Sequence, residues 1–261
     1  RRAHLAGLCA GRTGGCGSSC HEGGKMKGFF WNYDSIGWYR RASEYGDFHE
    51  RLAELLFSDI DPCESICDMG CGLGYLALEL AEHVKHVTAV DIDSAPLLVL
   101  RENIRLQNRR NIQVLESDCA ALPVGEIWDT MILCFFGRIT EKGNLERYLA
   151  HCSRRLMFVV SNGCGSNFSS SAVKRPGRER VPEVEHFLQE KGIAYTLKTG
   201  ELEFGQPMDS VEEAERFTEH YSPGSSQEQI KEHVERRIIP LPNGKYYLSG
   251  LKQFGIFIIE K

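Results

Sequence analysis

No stretch of the 261-residue sequence approaches the roughly 20 consecutive apolar residues of a membrane-spanning helix; the longest apolar runs are strand-sized. An excess of positive charge is also missing. The formal net charge is -5, so no overall field draws the chain to nucleic acid, and no nucleic-acid partner is expected. There is no internal repeat. The first residues contain no apolar core of signal-peptide length, so the expected compartment is the cytoplasm. Compact metal spacing is absent despite ten cysteines. Cys63, Cys67 and Cys71 follow C-x-x-x-C-x-x-x-C rather than the C-x-x-x-C-x-x-C of iron–sulfur radical enzymes, and Cys9, Cys16, Cys20 and His21 match no compact zinc motif. Buried, reduced thiols acting as small hydrophobes are the expectation, with no metal.

The most informative stretch runs from Ser65 to Asp93 and reads as strand, glycine turn, helix, strand. A short apolar run ends at Met69. Gly70, Gly72 and Gly74 follow, then Leu76, Leu78, Leu80 and Ala81 at helical spacing, and a second strand from His86 to Val90 that ends in Asp91. Alternating glycines between a strand and a helix let the backbone turn sharply and approach a ligand, with helix N-terminal amides facing it. Two carboxylates sharpen the reading. Asp91, 19 residues beyond Gly72, suits ribose hydroxyls. Asp68, just before the glycines, disfavours a pyrophosphate, because like charges about 4 Å apart cost on the order of 4 kcal/mol at an effective dielectric of 20. The spacing is also G-x-G-x-G, with Tyr75 where a dinucleotide turn has its third glycine. The same Asp68 would attract an ammonium group, and S-adenosylmethionine combines a ribose with an ammonium and no phosphate.

D-M-G-C-G-L-G followed by V-T-A-V-D-I-D resembles motif I and the acidic second strand of the class I S-adenosylmethionine-dependent methyltransferases. The likeness covers residues 48–205 plus the final strand, with specific motifs between Asp68 and Asp118. It implies S-adenosylmethionine as cofactor and S-adenosylhomocysteine as product. By that resemblance Asp68, Gly70, Cys71, Gly72 and Gly74 hold the methionine part, Asp91 the ribose with Ile92 beside the adenine, and Asp118 with Cys119 the adenine edge; Cys134 ends the strand where the methyl reacts. It also implies a doubly wound, seven-stranded α/β sheet whose last strand, residues 252–260, inserts antiparallel between the fifth and sixth.

The rest of the chain is read around that core. Residues 1–25, rich in Gly, Ser, Arg and Cys, are expected to be a disordered tail or an expression remnant, with Met26 a candidate start. Residues 26–60 are an N-terminal cap segment and helix. The aromatic stretch Phe29 to Tyr45 shows no clear period, Asp47 is expected to cap a helix bearing Leu52, Leu55 and Leu56 on one face, and Ser94 to cap the next. A plain helix cap is the alternative role for Asp118. Residues 143–155 read as a helix and 156–160 as the fifth strand. The methyltransferase domain spans residues 61–261, with residues 206–250 as a helical acceptor cover built from helices at 210–221 and 226–238.

The acceptor is expected to be a small molecule. Tyr39, Arg40 and Tyr45 from the cap, Phe135 and Phe136 from C-F-F-G, and His220 and Tyr221 from the cover are its candidate contacts. The family's base-methylating members carry D-P-P-Y or N-P-P-Y where this chain has C-F-F-G, which argues against a flipped base. An aminopropyltransferase would carry acids there. Lys174, Arg175, Arg178 and Arg180 suit an anionic acceptor or a solvated loop. A protein or RNA methyltransferase and a non-catalytic S-adenosylmethionine-binding module stay open, and no catalytic base is assigned.

Overall fold

The computed structural model describes residues 31–62, 64–123, 125–163, 168–169 and 179–261. Cys9, Cys16, Cys20, His21, Met26, Cys63, Lys174, Arg175 and Arg178 lie outside the described residues. The described chain, residues 31–261, is one compact unit.

Two helices open it. α1 (Tyr33–Tyr45) starts in a capping box, where Ser35 N donates to Asn32 Oδ1 at 2.8 Å and Asn32 N donates to Ser35 Oγ at 2.9 Å. It is a regular helix where the sequence shows no period, because aromatic and charged residues occupy every face. Its buried stripe is only Ser35, Trp38 and Ala42. α2 (Phe48–Phe57) buries Phe48, His49, Leu52, Ala53 and Leu56, but Leu55 is 41% exposed, off the expected face. Asp47 stands at its N-cap position without a side-chain hydrogen bond.

The α/β core then follows in order: β1 (Ser65–Met69), α3 (Tyr75–Leu80), β2 (His86–Asp91), α4 (Ser94–Leu106), β3 (Ile112–Glu116), β4 (Trp128–Cys134), α5 (Asn144–Ala150), β5 (Cys152–Ser161), α6 (Val181–Glu190) and β6 (Thr196–Glu203). After β6 come β7 (Gln206–Met208), α7 (Val211–Tyr221), α8 (Gln227–Glu235), β8 (Ile238–Pro240), β9 (Tyr246–Leu248) and β10 (Leu251–Glu260). The main sheet has the order β3-β2-β1-β4-β5-β10-β6, with β10 antiparallel to both neighbours. This is the expected seven-stranded doubly wound sheet. Its order reverses between β1 and β4, and ligands of such sheets bind at that switch point, beyond the carboxyl ends of the strands.

Local differences have simple causes. Asp93, not Ser94, caps α4 by accepting from Ala95 N at 3.0 Å. α5 stops at Ala150, and Cys152 to Arg155 already belong to β5, where Cys152 and Leu156 join the apolar layer under the sheet. The cover holds the two expected helices but also a three-stranded sheet, β7-β9-β8, so Ile238 is strand rather than helix end. Strands of three residues are too short to leave a periodic signal.

Side-chain alternation sorts the strands between two core layers. Ile66, Ile132, Met157, Val159, Leu202, Phe204, Phe254 and Ile256 face the layer of α2 and α3, whereas Cys67, Met69, Met131, Leu133, Phe158 and Phe257 face that of α5 and α6. At the strand ends remote from the switch point, the carboxylate of Glu64 accepts from Thr130 Oγ1 at 2.5 Å and from Arg155 Nη1 at 2.8 Å, and pairs with Arg154 Nη1 at 3.1 Å. Glu64 is 2% exposed.

Removing one member of a buried pair leaves the other charge uncompensated, at about 3–5 kcal/mol. With Glu260 still 3.3 Å from Arg155, Glu64→Leu is expected to cost stability at the lower end of that range, read as a lower urea midpoint with an unchanged slope. Glu64→Leu/Arg155→Met should recover most of the loss; a double variant no better than the single would contradict the pairing.

Candidate functional site

The glycine turn is built on the end of β2. Gly70 N and Cys71 N both donate to Val90 O, at 2.8 and 3.0 Å, and Gly72 N donates to Asp91 Oδ2 at 2.8 Å. The other oxygen of Asp91 accepts from Asp93 N at 2.9 Å. Gly70 (φ +74°) and Gly72 (φ +54°) hold left-handed backbone that a side chain would strain. A methyl group on Gly70 would also stand 2.3 Å from Cγ of Phe136, and one on Gly72 would stand 3.0 Å from Trp31 Cζ2. Two aromatic rings thus lie against the turn, one from the loop after β4 and one from the segment before α1.

That loop after β4 is strained as well. Phe135 has φ +52° and Arg138 φ +40°, conformations rare outside glycine, and Phe135 N is held by Val159 O at 2.9 Å. Such strain persists where surrounding structure enforces it, as at binding sites.

Asp68 faces this crevice from β1. It is 1% exposed, and its Oδ2 has no hydrogen-bond partner. Burial, with Asp91 nearby, pushes its carboxyl up to about 7. Cys134, at the end of β4 on the same face of the sheet, is pushed up to about 12 by burial and by Asp68. The Tyr39 phenol from α1 is raised well above its ordinary value by burial and by Cys134 and Asp68. Its hydroxyl lies 2.9 Å from His49 Nε2. His49 is lowered to about 3, first by burial and then by the ammonium of Lys252. Lys252, near the start of β10, lies over the rings of Phe204, Phe135 and Phe48 at 4.3, 5.0 and 5.1 Å from their centroids. At neutral pH the Tyr39 phenol, the His49 imidazole and the Cys134 thiol are therefore uncharged.

Of the residues the sequence nominates, Asp68, Gly70, Cys71, Gly72, Asp91, Cys134, Tyr39, Phe135 and Phe136 are brought together here. Ile92 is exposed beside Asp91 at the end of β2. Gly74 packs under Leu100 of α4. Asp118 accepts from Ala120 N at 2.8 Å, so it caps a short helical turn, and Cys119 is buried with its sulfur 3.9 Å from the Tyr148 hydroxyl. Tyr221 lies on α7 against Phe217 and within electrostatic reach of Tyr39. Three acceptor candidates stand apart. Arg40 pairs with Glu44 and Glu102 on the outer side of α1, Tyr45 is 53% exposed and stacked on Tyr247, and His220 is exposed with its ring edge against Trp38. Arg180 forms an ion pair with Glu183 at the start of α6.

His49 and Lys252 are the site residues that the sequence reading did not nominate. Both carried a signal. His49 stands at i-3, i-4 and i-7 from Leu52, Ala53 and Leu56, a polar residue on an apolar stripe, and Lys252 shares the strand period of Phe254, Ile256 and Ile258. Among the described residues, no group of three or more His, Cys, Asp or Glu is placed to hold a metal ion, and no helix is long and apolar enough to cross a membrane.

The raised carboxyl of Asp68 has a definite consequence for stability. Its folded value of about 7 lies above the ordinary 3.8, so the unfolded chain ionises first. The charged form is penalised by folding, and stability is lost as pH rises from about 4 to about 7 and is level above that. Asp68→Asn removes the penalty. Its stability gain over wild type should be near zero at pH 4 and grow to on the order of 4 kcal/mol at pH 8. Equal pH profiles for the two proteins in chemical denaturation would contradict the burial of an ionising carboxyl.

The glycine turn and its braces fall within a methyltransferase-domain family model that matches residues 66–157. The ribosomal protein L11 methyltransferase of a Thermoanaerobacter species is 36% identical over 66 residues, which is 25% of this chain and 21% of that protein. The chain spans 37% and 21% of the length of two curated relatives that it matches. Among solved structures, the YcgJ protein of Bacillus subtilis superposes with a TM-score of 0.54 at 14% identity, covering 83% of this chain and 99% of that one. Coclaurine N-methyltransferase, solved with N-methylheliamine and S-adenosylhomocysteine, gives 0.50 at 16% identity over 82% and 72%. Residues 66–157 thus match the methyltransferase-domain family model, and the seven-stranded sheet is the α/β Rossmann-like methyltransferase fold.

Proposed function

We propose that the protein is an enzyme that transfers the methyl group of S-adenosylmethionine to a small-molecule nucleophile. The observation that carries the cofactor is Asp68, whose buried Oδ2 lacks a partner beside a glycine turn. An ammonium is the group that such a carboxylate accepts, and a pyrophosphate is the group it repels. Gly70 and Gly72 leave backbone open to close approach, and Asp91, braced by two amides, keeps lone pairs for ribose hydroxyls. Ile92 offers exposed apolar surface for a purine, and Asp118 an acceptor for its amino group. The residues present fit the cofactor.

The cofactor supplies a methyl already activated by its sulfonium. What the chain supplies is alignment, and orientation can contribute on the order of 7 to 11 kcal/mol. Phe135 and Phe136, held by a strained loop, wall the acceptor side of the turn. Tyr39, fixed by His49, sets a hydroxyl next to Asp68 and Cys134. A helical cover docked on α1 favours a small acceptor over a protein or RNA. α1 is tied to the cover by Arg41 paired with Asp209 and Glu213, and by Trp38 within an apolar cluster with Met208, Ala214, Phe217 and Leu248. Trp38 Nε1 also donates to Glu213 at 3.4 Å.

Thermal shift separates the alternatives. S-adenosylhomocysteine at 100 times its dissociation constant should stabilise the fold by about 2.7 kcal/mol, a rise of roughly 5 to 10 °C for a chain of this size, and NAD should give none. Because the ammonium requires an ionised Asp68, affinity should tighten as pH rises through about 7 in wild type. In Asp68→Asn it should be at least about tenfold weaker and flat with pH. A rise with NAD only, or with neither ligand, would sink the proposal; saturable binding with no turnover of any small nucleophile would leave a binding module instead.

A further inference from the structure

α1 brings a phenol to the glycine turn. The Tyr39 ring stands edge-on to Trp31, the ring over Gly72, with centroids 5.3 Å apart, and lies 6.4 Å from the ring of Tyr75, the residue that follows Gly74. Its hydroxyl is 2.9 Å from His49 Nε2 and within electrostatic reach of Asp68 and Cys134. Among the described residues, His49 is the hydrogen-bond partner of that hydroxyl and Asp68 Oδ2 has none.

The second nitrogen of His49 decides which way the hydroxyl faces. His49 is buried among the rings of Phe48, Phe204 and Tyr75, and its Nδ1 has no partner. A neutral imidazole carries one proton, on Nδ1 or on Nε2. Buried N–H groups without an acceptor are rarer than acceptors without a donor, which leaves Nδ1 bare and puts the proton on Nε2. Nε2–H then donates to the Tyr39 oxygen, and the phenol turns its own O–H away from His49. The crevice favours the same direction, because Asp68 presents a carboxylate to that side. Burial and the Lys252 ammonium lower His49 to about 3, so it does not draw a proton from an acceptor through Tyr39.

The cofactor then determines what this donor meets. S-adenosylmethionine carries its ammonium and its carboxylate on one carbon, so an ammonium paired with Asp68 brings the carboxylate to the same neighbourhood. Asp68 repels that carboxylate, and the amides of Gly70, Cys71 and Gly72 are already taken by Val90 O and Asp91. The Cys134 thiol is a weak donor. A phenol O–H is a good one, and a hydrogen bond to an ionised acceptor is about twice as strong as a neutral one.

Resting on the methyltransferase reading, we propose that Tyr39 donates its O–H to the carboxylate of S-adenosylmethionine, and that His49 is the positioning residue that turns the hydroxyl toward it. The pair makes the site prefer the carboxylated cofactor to its decarboxylated form. Tyr39 thereby moves from the acceptor contacts to the cofactor contacts.

The test titrates the full chain calorimetrically, at about pH 8 where Asp68 is ionised, with S-adenosylhomocysteine and with its decarboxylated analogue. Wild type is expected to bind S-adenosylhomocysteine at least about tenfold more tightly than the analogue. Tyr39→Phe keeps the ring; it should weaken S-adenosylhomocysteine about tenfold, leave the analogue within about twofold, and so erase the preference. His49→Leu should reduce the preference at least about threefold, whereas His49→Gln, whose amide N–H still donates to the Tyr39 oxygen, should keep it. Nitrogen NMR of the imidazole should show the proton on Nε2. Equal weakening of both ligands in Tyr39→Phe marks a structural role and overturns the proposal. So does a preference that is absent from wild type, or one that survives Tyr39→Phe and therefore belongs to another donor. A full preference in His49→Leu, or a proton on Nδ1, overturns the role of His49. Absence of binding by either ligand in wild type is a different failure: it removes the methyltransferase reading itself.

Discussion

The site depends on how the end of β2 holds the glycine turn. Three turn amides, those of Gly70, Cys71 and Gly72, are taken up by Val90 O and the Asp91 carboxylate. Left-handed glycines supply the bend but do not fix it, because glycine is free to adopt many others. The bend becomes a fixed feature only when β2 runs parallel to β1 in the observed register, Met69 against Val90. Asp91 is thereby both a brace and the residue expected to meet a ribose. Replacing it disturbs turn and ligand together, which is why Asp68 is the cleaner probe of the ligand.

Asp68 shows the opposite economy. A carboxylate buried without a partner for Oδ2, and pushed up to about 7, costs the folded state. Nothing in the packing requires it: β1 would hold an apolar residue at that position equally well, as it does at Ile66, which shares its layer. A buried carboxylate that weakens the fold is a mark of function, and the trade between stability and function is general. The strained Phe135 and Arg138 belong to the same pattern.

Most of the sheet was legible because its signals are local. Glycines after a short apolar run, an acid at the end of the next strand, and apolar runs of strand length report β1, β2, β4 and β10 without knowledge of their neighbours. The parts that were not legible depend on distant partners. α1 has polar and aromatic residues on all sides, and its helix is specified by the Asn32–Ser35 capping box and by Trp38 docking on a cover 170 residues later in the chain. In a sheet covered on both faces, alternation is apolar on either side, so one lysine at a strand start looks like a solvated end. The resemblance already placed the strand of Lys252 between the fifth and sixth; what it did not show is the three rings, Phe48, Phe135 and Phe204, that the ammonium meets there. His49 was readable from its stripe, yet a buried histidine gains a role only beside Tyr39. Motifs give the cofactor half; the acceptor half is assembled by topology.

That division explains how α1 and the cover come to act as one body. The ends of the insertion are pinned together: Glu203 Oε1 accepts from Gly250 N at 2.7 Å and from Tyr247 OH at 3.0 Å, and Phe204 N donates to Gly250 O at 2.8 Å. Tyr45 then stacks on Tyr247, while Arg41 joins Asp209 and Glu213. The Arg41–Asp209 pair is exposed and contributes little, so the part-buried Arg41–Glu213 pair and the apolar cluster around Trp38 carry most of the attachment. Because Tyr39 lies one residue from Trp38 on the same helix, any displacement of the cover that carries Trp38 must also carry the Tyr39 hydroxyl away from Asp68. The segment of residues 206–250 and the Tyr39 side of the Asp68 crevice are therefore mechanically a single part.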